Sequence, residues 1–177
     1  LAQEGRLQRE RAGNEWHVRY SEGQGSAQEH GSRPGLFDWI PEKPLRDVVR
    51  EDWEDAHKCF SFGAWKCAVV MSGACLEGVL LAAVEIREVE ARALFPEKYR
   101  GFPIAKVPLK ELAVVAQKLR YIQSAAADFL IKSRNLIHPA LAVAEPGGPS
   151  QGVAKAALAL TEDCVKKVAT ELEKARF

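Results

Sequence analysis

Three side chains in the stretch SRNLIHPA, residues 133 to 140, have the types and spacing for phosphate chemistry: Arg134, Asn135 and His138. An arginine and a histidine four positions apart share one side of a helix, one turn from each other. A histidine titrating near neutrality there moves protons, while the guanidinium holds the charge that develops on a phosphoryl oxygen. In RNA the adjacent 2′-hydroxyl serves as nucleophile, so the pair implies neither a metal nor a cofactor. Asn135 and Lys132 add donors for phosphate binding. A plainer reading stands beside this one. Arg134 pairs with a carboxylate, while Asn135 and His138 close a helix that Pro139 stops, because the residue before a proline is pushed out of helical conformations. A helix C-terminus favours imidazolium and a neighbouring guanidinium disfavours it, so the two influences on His138 oppose each other.

Such residues need a scaffold, and the spacing of apolar residues predicts a helical one. At 100° per residue Phe129, Leu130, Ser133, Leu136 and Ile137 fall on one side of a helix opened by Ser124. Ala127, Ile131, Arg134 and His138 line its edge, where a second copy would meet across a two-fold axis. Upstream, Leu45, Val49, Trp53, Ala56 and Phe60 recur at helical steps behind Pro44, and Gly63 marks a turn. The segment from Ala64 to Leu94 reads as one helix, apolar almost all round from Cys67 to Val84 and therefore enclosed by its neighbours. Within it Ser72, Gly73 and Gly78 permit close approach of other helices. Residues 95 to 108 read as a proline-punctuated surface loop. Pro108 opens a helix carrying Leu109, Leu112, Val115, Ala116, Leu119 and Ile122, and a last helix from about Pro149 carries Val153, Ala157, Leu160, Cys164, Val168 and Leu172. The expected fold class is all-α, an up-and-down bundle of about five helices over residues 44–177. Residues 1–43, rich in Gly, Ser and charge, are expected to be a poorly structured N-terminal tail or linker with a short helix at its start. In that tail LFDWI, residues 36 to 40, reads as a segment that docks on the bundle.

Glu77 interrupts the most apolar helix, and a carboxylate enclosed there is costly unless a cation meets it. Arg134 is the expected partner, because its planar fork suits bidentate pairing with a carboxylate. The same glutamate, with amphipathic segments on both sides, points to a core helix rather than a membrane span.

Composition limits the alternatives. The 177 residues carry 25 Lys plus Arg against 24 Asp plus Glu, a net charge of +1, so no chain-wide basic footprint for nucleic acid is present. Cys59, Cys67, Cys75 and Cys164 lack zinc-ligand spacing and read as reduced, buried residues of a cytoplasmic protein. The first residue is Leu, which reads as a processed chain or a piece of a larger one.

With SRNLIHPA near the end of a penultimate helix and WKCAVVMSGACLEGVLLAAV in a central one, the sequence resembles the HEPN superfamily, and within it the less characterised branch associated with restriction and defence components. The resemblance covers residues 44–177. It implies a helical bundle that homodimerises through the motif helix and, in active members, a metal-independent endoribonuclease with a composite site. The family motif places four to six residues between its arginine and its histidine, whereas three separate Arg134 from His138. The expected function is accordingly a dimerising interaction or regulatory module that contacts RNA or nucleotide phosphate. A ribonuclease using Arg134 and His138 is the second reading and a structural helical domain of a larger parent protein the third, with a defence-system component as a further candidate partner.

Overall fold

The computed structural model describes residues 8–12, 15–19, 35–136 and 148–175, with Arg134 and the residues of the two strands described by backbone alone. The chain divides into two units, Leu1–His30 and Gly31–Phe177. In the first, strands β1 (Gln8–Ala12) and β2 (Glu15–Arg19) pair antiparallel, from Gln8 opposite Arg19 to Ala12 opposite Glu15. This replaces the short helix expected at the start of the tail. The register leaves only Gly13 and Asn14 between the strands, and a two-residue Gly-Asn connection favours a hairpin over a helix.

The second unit is an all-α bundle. Helix α1 (Lys43–Ser61) starts with Pro44 in its first turn, where the missing N–H costs nothing, and buries Val49, Trp53 and Ala56. Gly63, at φ +73°, reverses the chain into α2 (Trp65–Ile86). The two helices run antiparallel with their backbones close: a Cβ on Gly78 would stand 2.5 Å from Val49 Cγ2. By length and composition α2 is apolar enough to cross a membrane, and packing inside the bundle also accounts for that apolarity, since 61% of its most apolar window is buried.

The segment expected as one long helix breaks at Arg87, where the backbone leaves helical geometry (φ −108°, ψ 41°), and α3 (Glu88–Leu94) follows. The break turns Ala91 and Phe95 into the core. This split accounts for six α-helices among the described residues where about five were expected. The connection after α3 is also less superficial than its prolines suggested. It contains two single 3-10 turns, Glu97–Tyr99 and Ile104–Lys106, and buries Phe95, Ile104 and Val107.

Helix α4 (Leu109–Lys118) is followed by Arg120, which adopts the left-handed conformation (φ 64°) and turns Tyr121 inward to donate to the Ala83 carbonyl near the end of α2. Helix α5 (Ser124–Asn135) then runs back along α2, and α6 (Gln151–Lys174) completes the bundle. Ser150 caps α6 by accepting from the Val153 amide at 3.3 Å. Phe37 and Ile40 are buried in the main core, with Arg46 donating to the Ile40 carbonyl at 3.1 Å. Sequence texture changes at Pro44, and the buried Phe37 and Ile40 show that the LFDWI segment before it packs with the helices.

Candidate functional site

Two contacts fix α5 on the central helix. Tyr121, just before α5, meets Ala83, and Ser133, near its end, meets Gly73. The helices are therefore antiparallel. At Gly73 the approach leaves no room for a side chain, since a Cβ there would stand 2.8 Å from Ser133 Cβ and closer still to Ser133 Oγ. Ser133 is buried and donates to the Leu130 carbonyl at 2.9 Å, so its hydroxyl is satisfied inside its own helix. Seating Ser133 sets the rotational phase of the last turn, and Lys132 and Asn135 on either side are exposed. The Arg134 side chain and the whole of His138 lie outside the described residues, so the expected Arg134–His138 pair does too.

Glu77 is half-buried on α2, one turn beyond Gly73 on the same face and hence on the edge that looks toward α5. The α5 backbone at Arg134, next to Ser133, is within about two turns of it along the bundle. The Arg134 side chain lies outside the described residues, and so does the ion pair expected between it and Glu77. The stripe proposed for contact with a second copy changes at one end. Ala127 belongs to the core of its own bundle, because the turn at Tyr121 and the Ser133 contact rotate it inward; Ile131 is half-buried.

Beyond Ser133, Leu136 rests on a small second core of Ala68, Val69, Ala154 and Ala157, with Cys59, Phe60, Trp65 and Phe129 at its margin. The turn between α1 and α2 lies beside it and exposes Phe62 (83%). Val153, expected on the apolar stripe of α6, is 51% exposed, because it lies in the first turn, at the rim of this core. The cysteines also depart from expectation. Cys59 and Cys67 flank that turn with Cα atoms 5.8 Å apart and form a disulfide, while Cys75 and Cys164 are free and buried. The helical hairpin brings the first pair together, a consequence of tertiary structure that spacing alone does not reveal. Burial raises both free thiols, that of Cys164 to about 11 and that of Cys75 further.

Among the described residues no group of three or more His, Cys, Asp or Glu is placed to hold a metal ion. No family model, no curated protein and no solved structure matches this chain. The resemblance to the HEPN superfamily therefore stands on the quoted residues.

Proposed function

We propose that the chain is a dimerising, HEPN-like interaction or regulatory module of the cytoplasm, whose last α5 turn contacts RNA or nucleotide phosphate. The observation that carries this reading is the seating of Ser133 against Gly73, which turns Lys132 and Asn135 outward on both sides of position 134. A cation and an amide donor side by side suit a phosphate oxygen. A regulatory role is favoured over cleavage because three residues separate Arg134 from His138, where active relatives of the resembling type have four to six. Glu77 holds Arg134 from the α2 side in this proposal, so that the guanidinium does not meet a phosphate alone.

Incubation of purified protein with mixed RNA in the presence of EDTA tests it. Intact RNA, with binding weakened in Lys132→Gln and Arg134→Ala, is the expected result. Metal-independent cutting to 2′,3′-cyclic phosphate ends, lost in both Arg134→Ala and His138→Ala, would establish the ribonuclease instead. Sedimentation at tens of micromolar tests assembly, and a monomer there removes the dimer from the proposal.

A further inference from the structure

The segment between α3 and α4 gathers a charge that the chain as a whole lacks. From Phe95 to Pro108 it carries Lys98, Arg100 and Lys106 against the single carboxylate Glu97, a net +2 in a chain whose total is +1, and Lys110 and Glu111 follow in the first turn of α4. The remaining residues together are therefore net negative. All four cations are exposed. The nearest carboxylates upstream are engaged: Glu88 accepts from Arg92 Nε at 2.7 Å, and Glu90 is paired with Arg87.

Aromatic surface is interleaved with these cations. Phe102 is 48% exposed, and its ring meets Tyr99 edge to face with centroids 6.0 Å apart, while Lys98 Nζ lies 4.7 Å from the Tyr99 centroid. The platform is held from below. Arg92 donates to the carbonyls of Arg100 (2.5 Å) and Phe102 (3.0 Å), Arg100 Nε donates to the Phe95 carbonyl at 3.2 Å, and Phe95, Ile104 and Val107 anchor the segment in the core. An exposed ring fixed in this way loses little freedom when something stacks on it.

We infer that the segment from Lys98 to Lys110 is a binding site for single-stranded nucleic acid, with a base stacked on Phe102 and phosphates on Lys98, Arg100 and Lys106. Single strands are favoured over duplex because a projecting aromatic face engages an unpaired base, and a duplex keeps its bases stacked internally. Sequence-tolerant binding follows, since every base offers a π-face. This site is built from elements other than the last α5 turn and does not depend on the reading proposed for that turn.

Fluorescence anisotropy of the full chain with labelled oligouridylate of about 15 nucleotides, the upper range of site size for such platforms, provides the test. The expected result is salt-sensitive binding to the single strand and weaker binding to the matching duplex. Phe102→Ala should weaken it roughly five- to hundredfold, the scale of one base–aromatic stack, and Phe102→Tyr should retain it. Lys98→Gln and Lys106→Gln should each reduce the slope of log affinity against log salt by about 0.7. Because these side chains are exposed, unchanged thermal melts should accompany the losses. Equal binding of duplex and single strand with no effect of Phe102→Ala would overturn the inference, as would binding to vesicles of anionic phospholipid with none to oligouridylate. Loss of binding in Lys132→Gln alone, with Phe102→Ala unaffected, would transfer the nucleic-acid contact to α5.

Discussion

The last turn of α5 and the segment between α3 and α4 both offer cations to solvent, but different forces hold them. In α5 the anchor is steric: Ser133 sits against Gly73, and the absence of a side chain on the central helix is what admits it. In the other segment Phe95 and Ile104 are buried, and the anchor of the exposed stretch between them is polar, with Arg92 reaching two backbone carbonyls that no helix or strand would satisfy. A steric anchor fails abruptly when volume is added. A hydrogen-bonded one loosens by degrees, because water can replace a lost donor at an exposed carbonyl.

The largest expected effect tests the steric side. Gly73→Val should destabilise the helical unit by about 2 to 3 kcal/mol in denaturant unfolding through overpacking. Gly73→Ala should also destabilise despite the better helix propensity of alanine, and adding Ser133→Gly should recover part of the loss. If Gly73→Ala is neutral or stabilising, the close approach of α2 and α5 is not what seats the motif turn.

Next is the disulfide beside the small core on which Leu136 rests. Cys59→Ser should lower stability by about 2 kcal/mol under oxidising conditions, the loop-closure scale for so short a crosslink. Under a reducing dithiol the variant and the parent chain should unfold together. Alkylation before cell lysis, followed by mass spectrometry, would also bear on compartment: reduced thiols at Cys59 and Cys67 in vivo are what a cytoplasmic location requires.

On the polar side, Arg92→Met should cost about 1 kcal/mol and raise amide exchange across residues 97 to 103, leaving exchange in α5 unchanged. Arg92→Lys should not restore protection, since a single ammonium does not reproduce a fork that spans Glu88 and two carbonyls. Exchange that rises equally in α5 would show that the two segments are not anchored independently.

The smallest effects sharpen the contrast. Ser133→Ala keeps the fit against Gly73 and removes only a hydrogen bond within the helix, so it should change stability by no more than about 0.5 kcal/mol. Asp52 on α1 serves as an electrostatic control outside both segments. Burial, then Asp55 and Glu51, raise its carboxyl above the ordinary 3.8, so its ionisation opposes the folded state. The associated stability is present below that ordinary value and lost as pH rises through the higher folded value. Asp52→Asn should therefore match the parent chain near pH 3 and exceed it slightly at neutrality, by at most about 0.5 kcal/mol, in melts recorded at both pH values.

Helical periodicity was readable wherever a helix buries one stripe. The positions of Leu45, Val49, Trp53, Ala56 and Phe60 mark the inner face of α1, and Ser72, Gly73 and Gly78 mark three approaches to α2: Thr161 donates to the Ser72 carbonyl, while Ser133 and Val49 close on the glycines. What escaped was set by partners distant in sequence or by short local codes. The break at Arg87 falls inside a continuous helical pattern, and the approach of Cys59 to Cys67 needs the hairpin to exist first. The Gly13-Asn14 spacing is a local hairpin signal set among charged residues that favour no particular element. At the candidate site the seating of Ser133 follows from its place on the apolar face of α5, whereas the Arg92 clamp is absent from any local pattern, since its acceptors lie 8 and 10 residues downstream.

The two free cysteines give the molecule internal clocks. Cys75 on α2 and Cys164 on α6 are both enclosed, and with its thiol raised to about 11 the Cys164 sulfur is a thiolate only about once in 10⁴ at pH 7. Cys75 has no exposed surface and Cys164 only 6%, so alkylation of either is slow while the helices stay together. The rate at which each is alkylated therefore reports how often its helix parts from its neighbours, and the ratio of the two rates distinguishes release of α6 alone from opening of the whole bundle.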